Sequence, residues 1–442
     1  MDAHLDMGGK VRDGYSGTKL AAWLTLTLTF LLMLFDFIDR QVVVSMLPAI
    51  KADWSLSDTE LGALVSIVSI VIAFASIPVA LLADRWSRVK CVFVMAFLWS
   101  IATVACAYAT NYNELFALRG LIGIGEAGYN AVGCAILASL FPTRMRAAIL
   151  ASFSAAAAVG AVLGVLLGGI LAKTYGWHSA FGVVGAPGMV LAFLYLFVRD
   201  YKTVDLSEES SAANKRRLGP IKMARLLVKT PSAMMIYVGG GLQLFVVSTV
   251  YSWLPSFFNR YYNLPADQAG VKAAVVLLLS SLAAVLWGIL ADRTSRKNSQ
   301  SKIWVMALSS LTSFIVLTYA FAFLSPGPEQ YVAIIVGATL MTGSIGSVSA
   351  VSIDVVHPGM RATTVAVGVL IGNLLGLGAG PLISGMVSEK YGLAAALAVV
   401  PTFGLVATLA FALTVGFYKR DLKAIGEAQC KDIPLIAQMA AI

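Results

Sequence analysis

Apolar runs of about 20 residues recur along the whole chain, and each is long enough to cross the ~30 Å hydrocarbon core of a bilayer. Inside lipid every backbone N–H and C=O must be satisfied within its own segment, so these runs are expected to be helices. The two-residue alternation of a membrane β-barrel is absent from them. Spans are expected near residues 20–49, 61–83, 90–109, 115–140, 147–172, 180–198, 234–258, 270–291, 303–324, 330–355, 363–387 and 394–418. The expected fold class is therefore all-α integral membrane, with twelve transmembrane helices. An even number of spans puts both termini on one side.

Charge is scarce and unevenly placed. Only 12% of residues are charged, about half of the ~25% usual in soluble domains. The net charge of +9 does not point to nucleic acid, because its distribution follows the spans. With alternate loops assigned to opposite sides, 25 of the 32 Lys and Arg fall on one side, including eight between Arg199 and Lys229. The other side receives Lys51, Lys173, Arg260 and Lys390. This asymmetry predicts cytoplasmic termini. Residues 1–19 are polar, so the first span is expected to act as signal and anchor. Cys91, Cys106, Cys134 and Cys430 form no C-x-x-C pair, so neither a disulfide framework nor a metal site is expected. No Asn-x-Ser/Thr sequon occurs, in keeping with a bacterial inner membrane.

The chain repeats itself. Leu82-Ala83-Asp84-Arg85-Trp86-Ser87-Arg88 matches Leu290-Ala291-Asp292-Arg293-Thr294-Ser295-Arg296 at an offset of 208. Gly164 and Lys173-Thr174-Tyr175-Gly176 match Gly380 and Glu389-Lys390-Tyr391-Gly392 at an offset of 216. Two pseudo-symmetric six-helix bundles follow, at 20–198 and 234–418. They are flanked by an N-terminal tail at 1–19 and a C-terminal tail at 419–442. The linker at 199–233 holds Lys215, Arg216 and Arg217, and its segment 220–229 reads either as a flat amphipathic helix or as a solvated loop. Parallel six-helix repeats are a secondary-transporter plan, with substrate bound near the midplane.

The duplicated D-R-x-S-R loop resembles the signature of the major facilitator superfamily, with Gly288, Asp292, Arg293, Arg296 and Lys297 giving the fuller copy. Asp39-Arg40 in the first span and Arg119…Gly123-Ile124-Gly125-Glu126-Ala127-Gly128-Tyr129 in the fourth resemble the spinster-type transporters of that superfamily. That family usually has Asn where Asp36 stands here. Organic-anion symporters share the Asp-Arg pair and the Glu-Ala pair, and are the nearest alternative. Multidrug antiporters resemble the chain less, since the proline of their fifth-span motif is replaced by Val165.

Asp36, Asp39, Arg40, Arg119 and Glu126 lie deep in the first half, where each would cost about 2.5–3.5 kcal/mol facing lipid. They are expected to face a protein interior or a wet cavity, and their formal sum is −1. One acid is expected to carry a proton through part of a transport cycle: Glu126 first, then Asp39, with Asp36 beside them. The resemblance implies that the first, fourth, seventh and tenth spans line a central cavity. Arg40, Arg119, Glu126, Tyr129, Gln243, Phe245, Tyr251, Ser344 and Ser347 are the expected substrate contacts, although the hydroxyls could equally be satisfied by their own helices. The resemblance also implies a conformational latch at Asp84, Arg85, Arg88, Asp292, Arg293 and Arg296, with Asp84 at the eleventh span and Asp292 at the fifth. The strings Gly160-x3-Gly164-x3-Gly168 and Gly372-x3-Gly376-x3-Gly380 are expected to pack the second span on the eleventh, or the fifth on the eighth.

No phosphate loop of the G-x-x-x-x-G-K-[ST] type occurs, so ATP drive has no support. His4, His178 and His357 lie outside the spans and no G-x-S-x-G occurs, so a serine hydrolase is not expected. The chain reads as a monomeric transporter without cofactor, driven by the proton gradient. A charged half facing a mild half suits an amphiphile, and the resemblance to spinster-type transporters implies one of sphingolipid or lysophospholipid type. The organic-anion (hexuronate-type) symporter stays open as the alternative.

Overall fold

A computed structural model describes residues 15, 18–198, 230–296, 298, 300–356 and 361–439. Segment 220–229, the basic cluster Lys215 to Arg217, and most of the 199–233 linker lie outside the described residues. The first six helices are α1 (Lys19–Trp54), α2 (Asp58–Arg85), α3 (Arg88–Cys106), α4 (Tyr112–Glu126), α5 (Tyr129–Leu140) and α6 (Thr143–Tyr195). Next come α7 (Pro231–Tyr261), α8 (Ala266–Ser295), α9 (Ser301–Ala322), α10 (Pro328–Met341) and α11 (Ile345–Asp354). The last are α12 (Arg361–Ile371), α13 (Ala379–Tyr391), α14 (Leu393–Val399) and α15 (Pro401–Met439).

Among the described residues, eleven helical stretches are long and apolar enough to cross a membrane. One of them, α6, has 53 residues, or ~80 Å at 1.5 Å per residue. It contains two spans, because Gly176 at φ 79° and ψ 158° interrupts it. The total is twelve, as the apolar runs predict. Gly392, the repeat partner of Gly176, takes φ 85° and ψ 155°. This region is open to glycine and costly for other L-residues, so the Tyr-Gly repeat is a repeated chain reversal.

Local chemistry explains the helix starts. Ser57 and Glu60 form a reciprocal cap on α2, with Ser57 N donating to Glu60 Oε2 at 2.8 Å and Glu60 N to Ser57 Oγ at 3.2 Å. Ser87, which replaces the second glycine of the loop signature, accepts from Lys90 N at 3.1 Å and caps α3.

Four spans are less regular than the apolar pattern predicts. The fourth breaks after Glu126, where Gly128 precedes α5. The tenth tightens into a 3₁₀ turn at Thr342–Ser344, and the eleventh widens into a π turn at Gly372–Gly378. The twelfth is interrupted at Val400, where Pro401 brings no N–H to the ladder although Val400 itself keeps helical angles of φ −52° and ψ −40°. Beyond that break α15 continues through 419–439, so the described part of the C-terminal tail is helical.

The glycine strings pack differently from expectation. A methyl at Gly164 would lie 2.6 Å from the Ile38 carbonyl oxygen, and the same holds in kind for Gly160 against Leu34 and Gly168 against Val42. The first string therefore seats the fifth span on α1. In the second string, Gly376 faces Leu244 (2.6 Å) and the Gly241 carbonyl (3.2 Å), and Gly380 faces the Phe245 carbonyl (2.9 Å) on α7. Glycines four apart form one stripe, and a stripe seats one partner helix. The fifth and eighth spans do meet, but through Gly169 against the Ala266 carbonyl (2.5 Å) and Gly270 against that of Val165 (3.0 Å).

The chain divides into two compact units. One contains the described residues up to 198 together with Leu254–Leu278, and the other contains 230–253 and the residues from Leu279 onward. The end of α7 and start of α8 thus belong with the first unit, although they precede and follow a loop of the second bundle. Ion pairs hold them there. Arg260 grips Asp58 with both terminal nitrogens at 2.7 Å, and Lys51 meets Asp58 Oδ1 at 2.5 Å. Lys173 meets Asp267 at 2.8 Å. Asp58 is buried in the first turn of α2, where the helix dipole also favours a negative charge.

Gly164→Val is expected to abolish most of the folded, monodisperse fraction on size-exclusion chromatography. Gly416→Val, with open space around the site, is expected to leave that fraction unchanged. A double-mutant cycle of Asp58→Asn and Arg260→Met, read by thermal unfolding in detergent, is expected to give a coupling of about 1–3 kcal/mol.

Candidate functional site

The five deep charges converge within the first unit. Asp36 and Arg40 stand one turn apart on α1, and Arg40 Nε lies 3.2 Å from Asp36 Oδ1. The same Nε lies 2.9 Å from Glu126 Oε2 on α4. One nitrogen therefore serves two carboxylates. The Arg40–Glu126 contact is a meeting of charges rather than an aligned hydrogen bond, and among the described residues no aligned donor meets either Glu126 oxygen. Asp36, Asp39, Arg119 and Glu126 are each 3% exposed or less, whereas the Arg40 side chain is 20% exposed. The remaining N–H groups of Arg40 meet no hydrogen-bond acceptor among the described residues, and its guanidinium lies 5.1 Å from the Phe37 ring centroid.

The glycines around Glu126 explain its position. A methyl at Gly123 would lie 2.7 Å from the Val68 carbonyl of α2, and one at Gly125 would lie 2.7 Å from Trp99 N of α3. A methyl at Gly128 would lie 2.5 Å from Val79 Cγ1. The G-I-G-E-A-G motif thus presses α4 onto α2 and α3 and leaves the carboxylate to face α1. The helix ends at Glu126, so the carboxylate sits at a break in the span.

Arg119 and Tyr129 occupy interior positions. Arg119 donates to the backbone carbonyls of Leu64 (Nε, 3.3 Å) and Asp39 (Nη1, 3.5 Å). Its charge lies beside the Asp39 carboxylate. Tyr129 donates to the Thr29 carbonyl at 2.6 Å and packs edge-on against Trp99 with ring centroids 5.3 Å apart. Tyr195 joins the same network through Thr29 Oγ1 at 3.0 Å. Both expected substrate contacts are thus engaged in joining helices of this unit.

One residue of the site carried no signal in the sequence. Thr103 of α3 is fully buried, and its hydroxyl donates to Asp39 Oδ2. A lone threonine in an apolar span has no periodicity or charge to mark it. It also contacts the Trp99 carbonyl at 2.9 Å, as mid-helix hydroxyls commonly do.

The other expected contacts lie in the second unit. Gln243 is buried and donates to the Met341 carbonyl at 2.9 Å, just before the 3₁₀ turn. Phe245 packs against Phe403 with centroids 4.4 Å apart and the rings tilted by 34°. Tyr251 and Ser280 share a hydrogen bond of 2.6 Å. Ser344 and Ser347 are buried. In the loop signatures, Asp292 is exposed and pairs with Lys302 at 3.2 Å. Arg293 and Arg296 are exposed and Arg88 is half-buried. The side chains of Asp84 and Arg85 lie outside the described residues.

A family model of the Major Facilitator Superfamily matches residues 29–378. The chain belongs to the major facilitator superfamily. Its members are transporters rather than enzymes, and this chain is a multi-pass membrane protein of that kind. It is 27% identical over 378 residues to a Xenopus laevis protein named spinster homolog 1, covering 82% of this chain and 72% of that one. A Haemophilus influenzae protein described as a putative metabolite transport protein is 27% identical over 387 residues, covering 85% and 91%. Among solved structures, a bacterial homologue of the human lysosomal transporter spinster, inward-facing and unoccupied, superposes with a TM-score of 0.81 at 22% identity. That match covers 92% of this chain and 99% of the other. A D-xylose–proton symporter superposes with a TM-score of 0.74 at 17% identity, covering 89% and 97%. The superfamily fold expected from the duplicated loop is therefore present, and the likeness to spinster proteins spans most of the chain.

Removing Arg40 leaves Asp36 and Glu126 buried without their shared cation. Arg40→Met is expected to lower the thermal midpoint in detergent by several degrees, consistent with the roughly 3–5 kcal/mol cost of an uncompensated buried charge. Adding Glu126→Gln is expected to recover part of that loss in the same measurement.

Proposed function

We propose that this transporter moves an amphiphilic, lipid-like molecule of sphingolipid or lysophospholipid type by alternating access, driven by protons, with both termini in the cytoplasm of a bacterial cell. The observation that carries the reading is Arg40: its Nε is held between Asp36 and Glu126, while its remaining N–H groups are unengaged and its side chain is partly exposed. A guanidinium held in this way presents its free edge to an anionic head group. The Phe37 ring, 5.1 Å from the guanidinium, offers an apolar contact beside it.

Proton coupling follows from the charge count. Three carboxylates face two guanidiniums in a buried cluster, and two of the acids share a single nitrogen. An anionic substrate head at Arg40 would weaken its hold on Asp36 and Glu126, and a proton on the cluster restores neutrality. Substrate binding then favours proton binding, and by reciprocity the proton favours the substrate, which couples their movements. The similarity to spinster proteins favours a lipid-like cargo. The same free edge of Arg40 would also hold the carboxylate of a sugar acid, so a hexuronate-type symporter is the second reading.

Reconstitution in liposomes under an imposed pH gradient distinguishes them, with a labelled lysophospholipid and a labelled hexuronate followed side by side. Gradient-dependent movement of the lysophospholipid is expected, and Arg40→Met should weaken its apparent affinity by about 10–100-fold, the loss of a charge-assisted contact. Movement of the hexuronate alone would replace the lipid reading with the second one.

A further inference from the structure

Asp39 differs from the other two carboxylates of the cluster in one respect. Asp36 and Glu126 both lean on Arg40, whereas Asp39 is met by a hydroxyl on a neighbouring helix. That hydroxyl, Thr103 Oγ1, has two acceptors within reach: Asp39 Oδ2 and, at 2.9 Å, the Trp99 carbonyl oxygen. A threonine hydroxyl has one proton to give and two lone pairs with which to accept. Its one proton can make a full, linear bond to only one acceptor at a time, so the two contacts trade strength against each other.

The two contacts match the two protonation states of a carboxyl. With Asp39 ionised, the Thr103 proton points to Oδ2. When a proton arrives, one O–H bond forms on Oδ2 and no other bond breaks. The new O–H then donates to Thr103 Oγ1, and the threonine proton turns to the Trp99 carbonyl, whose second lone pair is available beside its helical bond. Both states leave the pair hydrogen-bonded inside the bundle, where an unmet polar group is costly. Among the described residues no hydroxyl plays this part for Asp36 or Glu126.

We propose that Thr103 is a positioning residue that lets Asp39 gain and lose a proton inside the bundle, so that Asp39 is the carboxyl loaded and emptied in each cycle. This rests on the proton-driven reading above and narrows it from three acids to one. The charged and titratable groups around Asp39 are Asp36 and Arg40 on its own helix, Arg119 and Glu126 on α4, and Cys106 on α3. On α2 the Leu64 carbonyl accepts from Arg119. These groups set the field at Asp39, and Thr103 supplies the one partner that reverses its role with the proton.

The test uses Thr103→Val, which removes the hydroxyl at nearly constant shape, Thr103→Ser, which keeps it, and Asp39→Asn. Two readouts are taken on purified protein: the pH profile of gradient-driven uptake in liposomes, and the infrared band of protonated carboxyl groups followed across a pH titration. The ionised carboxylate loses the stronger, charge-assisted bond in Thr103→Val. The uptake midpoint is therefore expected to rise by about one pH unit, the equivalent of one such bond, and the carboxyl band to move to higher frequency. Thr103→Ser is expected to restore both, and Asp39→Asn to remove the component of the band that Thr103→Val shifts. An unchanged midpoint and band in Thr103→Val, or a Thr103-sensitive component of the band that survives Asp39→Asn, would overturn the proposal. Wild-type uptake that ignores the pH gradient would instead defeat the proton-driven reading, and the infrared titration would still decide whether Thr103 serves Asp39.

Discussion

The closeness of α1 to the fifth span governs the rest of the first unit. Gly160, Gly164 and Gly168 leave no room for even a methyl group against the carbonyls of Leu34, Ile38 and Val42. Ser45 adds a hydrogen bond of 2.6 Å to the Val165 carbonyl along the same line. In lipid there is little hydrophobic drive between helices, so dense packing and such contacts must hold them together. One face of α1 is thereby committed to glycine. Asp36, Asp39 and Arg40 stand on the other faces, turned to α3 and α4, and their geometry is only as fixed as the helix that carries them.

A second constraint meets the first from the opposite side. The glycines of the fourth span press α4 onto α2 and α3, and Glu126 closes the helix at a break. Two tightly packed surfaces thus bring carboxylates toward one guanidinium nitrogen from two helices. Arg119 strengthens the frame by tying the Leu64 and Asp39 carbonyls of α2 and α1. Arginine suits this task, because its charge does not come and go while its planar fork reaches several acceptors. One guanidinium therefore fixes the frame while the other keeps a free edge.

Much of this organisation was legible in the residues. The twelve spans, the two-fold repeat and the convergence of Asp36, Arg40 and Glu126 follow from apolar run length, loop repetition and the expense of intramembrane charge. What was not legible depends on which faces meet. The glycine strings announce close packing but do not name the partner, and α1 and α7 take the places expected of other helices. Tyr129 and Arg119 stand out in the sequence as polar and deep, but nothing in it says that each donates to a backbone carbonyl of a neighbouring helix. Thr103 matters through one contact across 64 residues of sequence, and no local pattern encodes such a meeting. The Arg260–Asp58 pair joins residues 202 apart and was equally hidden.

The second unit solves a different problem with the same repeat. Among its described residues no buried ion cluster stands, and its irregularity lies in the backbone. The 3₁₀ turn at Thr342–Ser344 and the π turn at Gly372–Gly378 each disturb the regular ladder of helical hydrogen bonds. Such turns persist at membrane depth only where protein or water meets the freed groups. Here Gln243 meets the Met341 carbonyl, Ser248 the Gly376 carbonyl at 3.0 Å, and Thr342 the Ser280 carbonyl at 3.2 Å. A helix whose carbonyls are held by neighbouring side chains can exchange those partners with less loss than a regular helix can break its own ladder. The repeat has thus placed charge that can be neutralised in one half and backbone that can be re-partnered in the other.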